Sequence, residues 1–128
     1  TISLAKTFLH MAGVDVGNAM DGENLQDIVD KKTVNRDNVI YAQISESRVG
    51  RAVRTKDYLF SVYAPGKNGF DYADSDRYAP DFLYDLKKDP YELNNLVDHK
   101  DYQDVKEYMI NLLIKEMKKA GEKEAIIE

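Results

Sequence analysis

The sequence contains no cysteine, no tryptophan and only two histidines, His10 and His99. Without cysteine there is no disulfide framework, no Cys-ligated zinc, no iron–sulfur site and no thiol nucleophile. Two histidines far apart in the chain argue equally against a His-rich metal site. Long apolar runs are missing as well, so nothing reads as a membrane span, and no signal-peptide pattern is visible. Positive charge is scarce: 18 Lys and Arg against 23 Asp and Glu give a formal net charge of −5. Only residues 39–64 are net positive, through Arg48, Arg51, Arg54 and Lys56. A nucleic-acid binder carries a clustered basic face on a basic domain. Four cations in an acidic chain do not make one, and no nucleic-acid partner is expected. A small anionic ligand remains compatible with that stretch, as does a solvated strand face.

What is present describes a globular protein. With 43% hydrophobic and 32% charged residues over 128 positions, the chain falls outside the disordered and fibrous classes and suits one domain. It begins at Thr1 and runs straight into a helical pattern, so we expect a piece of a longer protein. Residues 2–12 read as an amphipathic helix, with Ile2, Leu4, Ala5, Phe8, Leu9 and Ala12 on one face and Ser3, Lys6, Thr7 and His10 on the other. Gly13 supplies a stop, and Asn24 an N-cap for a short turn over Leu25–Val29.

Strand signals follow. Val39–Ser45 alternates, and Val49–Thr55 and Tyr58–Ala64 are β-rich runs joined by Lys56-Asp57, the spacing of a tight hairpin. Phe82–Leu86 gives a shorter fourth strand, and Pro65–Asp81 between them reads as a long loop, a kind that is commonly functional. In Asp89-Pro90-Tyr91-Glu92 the aspartate, proline and glutamate occupy N-cap, first-turn and capping-box positions for a short helical turn over Pro90–Asn94. Asp101–Ala120 is the strongest element. Tyr102, Val105, Met109, Leu112 and Leu113 form its apolar stripe, Asp101 its cap and Gly121 its stop, while Ile110 and Ile114 widen the arc. The expectation is an α+β fold: a small four-stranded antiparallel sheet packed against a long C-terminal helix, with an N-terminal helix.

Chemistry is not written in these elements. No serine lies in a Gly-x-Ser-x-Gly elbow, and no glycine-rich phosphate loop is present. Asp71, Asp74 and Asp76 suggest calcium, but their spacing lacks the glycine and distal glutamate of an EF-hand. No catalytic residue and no metal ligand is assigned.

One segment goes further. Phe82-Leu83-Tyr84-Asp85-Leu86-Lys87-Lys88-Asp89-Pro90-Tyr91-Glu92-Leu93-Asn94-Asn95-Leu96 resembles the Leu-Tyr-Asp-Leu…Asp-Pro-x-Glu-x-x-Asn-Leu segment near the C-terminus of arylsulfatase-type sulfatases, members of the alkaline phosphatase superfamily. Leu4–Val14 resembles the family's Asp-x-x-Pro-Thr-Leu-Leu-x-x-Ala-Gly helix, Met20–Leu25 its Asp-Gly-x-Ser-Leu turn, and Arg51–Phe60 its Arg-x-Val-Arg-Thr…Tyr-Lys-Tyr hairpin. Lys6, Asn24 and Leu59 replace the usual proline, serine and lysine.

The resemblance, which runs over residues 2–120, implies that residues 1–128 are one C-terminal subdomain of a sulfatase whose N-terminal catalytic domain is absent from this chain. In the family a Cys or Ser becomes formylglycine, whose hydrate attacks sulfur beside a calcium ion. Those residues map upstream of Thr1, and the nearest imitation, Ser3-Leu4-Ala5-Lys6-Thr7, has Thr7 where arginine is required. The implied cofactors, calcium and formylglycine, thus belong to the parent, and this chain alone is expected to be inactive. Its partners would be its own N-terminal catalytic domain and a sulfated small molecule or glycan. Arg48, Arg51, Tyr72 and Arg77, with the 65–81 loop, are the candidate residues of the substrate-pocket rim. Two other readings stay open: a phosphatase or phosphodiesterase of the same superfamily, and a free-standing interaction module. The compartment is not set by this fragment; the resemblance is compatible with an exported parent, periplasmic, secreted or lysosomal.

Overall fold

The computed structural model describes residues 2–30 and 38–128, which fall into two compact units divided after Asp37. The first holds helix α1 (Ile2–Met11) and the short helix α2 (Leu25–Val29). Asn24 caps α2 as expected, its side chain accepting from the Gln26 N–H. Gly13, at φ 77°, ends α1. The buried side of α1, however, is the polar one. Thr7 is 7% exposed, whereas Ile2 and Phe8 are 69% and 64% exposed. The reason is backbone satisfaction. Thr7 Oγ1 donates to the Ser3 carbonyl at 2.7 Å and accepts from Leu25 N at 2.9 Å, while Ser3 Oγ accepts from Glu23 N at 3.2 Å. Gly22 makes this approach possible: at φ 90°, a Cβ there would lie 2.9 Å from the Ser3 backbone. Lys6 Nζ reaches the Met20 carbonyl.

The second unit is a sheet with one helix on it. Strands β1 (Ile40–Ser45), β2 (Val49–Arg54), β3 (Tyr58–Tyr63) and β4 (Arg77–Asp85) form an antiparallel meander in that order. Helix α3 (Gln103–Lys119) follows after a single 3-10 turn, Lys100–Tyr102. A fifth strand, β5 (Ile126–Ile127), then pairs parallel to Arg77–Tyr78 of β4. The expected four-stranded antiparallel sheet is thus a mixed five-stranded one. A two-residue strand has no periodicity to read, and a parallel return is what a strand–helix–strand crossover produces.

The β2–β3 hairpin closes through a threonine where Asn-Gly or Asp-Gly is common. Thr55 Oγ1 accepts from Asp57 N and Tyr58 N at 3.2 and 3.0 Å. β4 begins five residues earlier than the Phe82 start expected for it. Pro80 and Asp81 read as breakers, but Pro80 lies beyond the reach of β5, where β4 is an edge, and Asp81 is stepped over between the Ser61–Phe82 and Val62–Pro80 pairs.

The core lies between α3 and one sheet face. Val49, Val53, Phe60, Val62 and Leu83 meet Met109, Leu113 and Met117. Ile110 and Leu112 flank this core, and Ile114 remains exposed at 37%. Strand register puts Tyr41 and Gln43 on the face of Arg51 and Val53, and Ile40, Ala42 and Ile44 on the opposite face.

Two capping expectations are corrected. The Asp89–Glu92 segment forms no helix: Asp89 Oδ2 accepts from Asn94 N, five residues on, at 2.7 Å. Glu92 takes φ +58° and pairs with Arg54 Nη1 at 2.7 Å instead of closing a capping box. Asp101 does not cap α3 either. The 3-10 turn precedes the helix, and the His99 side chain caps that turn by accepting from Asp101 N.

Candidate functional site: the loop end of the sheet

β1 ends, β2 begins, β3 ends and β4 begins at one end of the sheet, and all four rim candidates sit there. Arg48 precedes β2. Its guanidinium is ion-paired with Asp81 and lies 6.0 Å from the ring centroids of both Tyr63 and Phe82. Tyr72 is half exposed on the β3–β4 loop, with Lys67 Nζ 5.3 Å from its ring centre. Arg77 opens β4 and pairs with Glu128 near the surface. Among the described residues, no hydrogen bond or ion pair joins these three to one another.

Arg51 differs from the other three. It is 4% exposed, and its donors are engaged within the fold. Nε lies 2.8 and 2.9 Å from the two carboxylate oxygens of Glu122. Nη1 donates to Gly50 O at 2.7 Å, and Nη2 donates to Ala73 O at 3.0 Å. The plane lies 5.7 Å from the Tyr78 ring centroid. Tyr41 and Gln43 donate to the same Glu122 oxygen. Burial works against the ionised carboxylate, but these donors and the adjacent guanidinium outweigh it and hold the Glu122 pKa below the ordinary range. Burial likewise works against a charged Arg51, and the bond to Glu122 overrides it, raising the arginine pKa. For Tyr41, burial first and Glu122 second push the phenol upward. The group floors a polar hollow of about 340 Å³ bordered by Gln43, Ser45, Ala73 and Asp74.

The three loop aspartates do not converge. Asp71 bonds Asn68, Asp74 faces Lys123 at 3.5 Å, and Asp76 faces Lys67 at 3.8 Å. Among the described residues, no group of three or more His, Asp or Glu side chains is arranged to hold a metal ion. The three loop aspartates therefore do not fit a calcium site.

The opposite end of the sheet explains the motif that carried the resemblance. Asp85 is buried; its Oδ1 accepts from Lys87 N and Lys88 N, each at 3.2 Å, and its Oδ2 from Tyr102 OH at 3.0 Å. Burial would raise its pKa, yet these hydrogen bonds and Lys88 bring it below the usual carboxylate value. Asn95 Oδ1 accepts from Leu83 N at 3.0 Å and Val97 N at 3.1 Å, and its Nδ2 donates to Asp81 O at 2.9 Å. Asn95 thus binds the segment after the turn to the β4 edge. Asn95→Ala is expected to lower stability by about 1–3 kcal/mol, because it orphans the N–H of buried Leu83; urea unfolding measures it. Glu122, Asp85 and Asn95 were not among the candidates from the sequence. The Asp-Leu and Asn-Leu positions of the motif carry a signal for two of them, but nothing in the sequence marks Glu122.

Acid stability follows from these carboxylates. Both have folded-state pKa values below the unfolded ones, roughly 4.3 for Glu and 3.9 for Asp. Their contribution is fully present above those unfolded values and is lost as pH falls through the lower folded ones. The melting temperature should therefore fall from about pH 5 to pH 2, and less steeply in Glu122→Gln. Equal slopes for both proteins would contradict the assignment.

The fold and this end of the sheet define a class: a meander sheet with one covering helix, a motif-built turn at one end and a held loop at the other. The chain belongs to the family described as N-sulphoglucosamine sulphohydrolase, C-terminal, whose profile matches residues 1–119. It is 27% identical, over 91% of its length and 28% of the relative's, to an ulvan-active sulfatase of Formosa agariphila. Its fold is similar to that of a protein solved with its substrate D-glucosamine-2-N,6-O-disulfate, with a TM-score of 0.70 and 22% identity over 91% of this chain and 23% of that one. It is also similar to a 2-O GAG sulfatase, with a TM-score of 0.71 and 22% identity over 93% of this chain and 24% of that one. The chain thus spans about a quarter of the length of these relatives. No helix among the described residues is long and apolar enough to cross a membrane.

Proposed function

We propose that this chain is the C-terminal subdomain of a sulfatase that hydrolyses sulfate esters of a glycan, inert by itself and completed by an N-terminal catalytic domain. The observation that carries the reading is the family match over residues 1–119 in a chain about a quarter as long as its relatives. The relatives, an ulvan-active sulfatase and a 2-O GAG sulfatase, point to a sulfated polysaccharide as substrate class. Calcium and formylglycine belong, on this reading, to the catalytic domain.

Two exposed apolar faces, one in each unit, support such a partner. α1 exposes Ile2, Leu4, Phe8 and Met11, and the sheet face away from α3 exposes Ile40, Ile44 and Phe82. On that face Ala42, Ala52 and Ser61 form a row of small side chains, with Ser61 Oγ buried and unbonded. An exposed apolar face of this kind marks an interaction site, and the catalytic domain is the occupant we assign to each. At the other end, Arg48, Tyr72 and Arg77 contribute to the pocket rim, and Arg51 contributes through the loop it holds.

The experiment compares the longer protein with the isolated chain on an aryl sulfate and an aryl phosphate. Sulfate release by the longer protein alone is expected. Phosphate release without sulfate release would favour the phosphatase reading, and turnover by the isolated chain would overturn the proposal. Ile44→Asp, placed at the assigned interface, is expected to leave the meander folded but reduce the recovery of soluble longer protein several-fold, since a buried unpaired charge costs more than the contact it replaces.

A further inference from the structure

The β3–β4 loop carries four aspartates or asparagines between Pro65 and Asp76 and presents Phe70 at 81% exposure and Tyr72 at 50%. A loop of this composition has little core of its own to hold it. It is nevertheless fixed at three places. Asn68 Oδ1 accepts from Phe70 N at 2.7 Å. Gly69 is buried so closely against Glu46 that a Cβ would overlap the Glu46 backbone. The Ala73 carbonyl accepts from Ser45 Oγ at 2.6 Å and from Arg51 Nη2 at 3.0 Å.

Arg51 can hold Ala73 only if its own plane is fixed, and Glu122 fixes it. Glu122 in turn is placed by the end of α3. Gly121 takes φ 77°, Gly121 N donates to Lys118 O at 3.1 Å, and Glu122 N donates to Met117 O at 3.0 Å, the paired bonds of a Schellman ending. A continuous set of contacts therefore runs from the C-terminus of α3 through Glu122 and Arg51 to the loop.

We infer that Glu122 and Arg51 are positioning residues for the 65–76 loop, holding Phe70 and Tyr72 where a sulfated polysaccharide chain is read. The polysaccharide part of this statement rests on the sulfatase reading above; the positioning part does not. Neither residue touches the reacting atoms. Arg51 is neutralised by Glu122 and has its donors engaged, so its role is geometric and its charge is not offered to the sulfate.

The test uses the longer protein. Glu122→Gln keeps the shape and removes the charge, Arg51→Lys keeps the charge and removes the planar fork, and Ser45→Ala removes the second donor to Ala73. Amide hydrogen exchange at residues 70–74 is expected to accelerate about tenfold in Glu122→Gln and Arg51→Lys and less in Ser45→Ala, with the β2 and β3 amides still protected. In Glu122→Gln, KM for a sulfated polysaccharide is expected to rise about three- to tenfold, with kcat and the turnover of a small aryl sulfate unaltered. Loop exchange that stays at the parent rate, in variants whose strand amides remain protected, would overturn the positioning role. Faster loop exchange with an unchanged polysaccharide KM would uphold the positioning role and overturn the reading of the polysaccharide by this loop. If neither protein acts on any sulfate ester, the sulfatase reading fails while the exchange result still decides the positioning role.

Discussion

Glu122→Ala is expected to destabilise the chain by about 3–5 kcal/mol, among the largest losses available to a single substitution outside the apolar core. The carboxylate satisfies a guanidinium whose side chain is 3% exposed, and it is itself only 10% exposed. Removing it leaves a positive charge in a low-dielectric pocket, with Tyr41 and Gln43 deprived of the same acceptor. The vacated volume is small, so the loss is dominated by desolvation of Arg51. Two companions separate the contributions. Glu122→Gln retains an acceptor for Nε and should lose about half as much, whereas the double variant Arg51→Met, Glu122→Leu should lose less than Glu122→Ala, since no charge remains buried. Urea unfolding of the three proteins gives the comparison. A loss below about 1 kcal/mol for Glu122→Ala would mean that water reaches Arg51 and that the contact is a surface pair.

Asp85→Ala should be nearly as severe, at about 3 kcal/mol, which lowers the melting temperature by on the order of 10 °C. Three donors point at this one buried carboxylate: two consecutive backbone N–H groups of the turn and the Tyr102 hydroxyl that ties the start of α3 to the end of β4. Hydrogen bonds to a charged acceptor are stronger than neutral ones, and alanine leaves all three donors without it. Asp85→Asn keeps one carbonyl oxygen for the turn and is expected to recover about half of the loss. Tyr102→Phe removes a single bond and should cost about 1 kcal/mol. If Asp85→Ala and Tyr102→Phe had equal effects, the backbone N–H bonds would contribute nothing and the turn would form without the carboxylate.

Much of the architecture was legible because it rests on local pattern. The alternation in β1 to β3 and the long 3.6-residue period of α3 are strong signals over six or more residues, and Gly121 marks the helix end. β5 was illegible because two residues carry no period, and the early part of β4 because Pro80 and Asp81 look like a loop until their edge position is known. The helical expectation over Pro90–Asn94 failed for a different reason. Asp89, Pro90 and Glu92 meet every local criterion for a cap, but Arg54 offers Glu92 a tertiary partner and the Asn94 N–H takes the Asp89 carboxylate from five residues on. The apolar face of α1 was read correctly as a face, and yet the side buried within its own unit is polar, because Thr7 and Ser3 must satisfy the turn before α2.

The site was less legible than the fold. Arg48, Arg51, Tyr72 and Arg77 were singled out for charge and loop position, and the structure does bring their segments to one end of the sheet. Sequence could not distinguish the exposed Arg48 from the buried Arg51 three residues later, because what decides it is register: Arg51 lies opposite Gln43 on the helix-covered face. Glu122, separated from Arg51 by 71 positions, has no signal in the sequence at all.

On the function proposed above, this chain is the C-terminal part of a sulfatase and the catalytic apparatus belongs to the rest of the protein. Sulfate released from a sulfated polysaccharide, measured for the longer protein and for the 128-residue chain at equal concentration, tests it most directly. Sulfate is expected from the longer protein and none from the chain. Release by the chain alone, or release of phosphate but no sulfate by the longer protein from the corresponding esters, would contradict it.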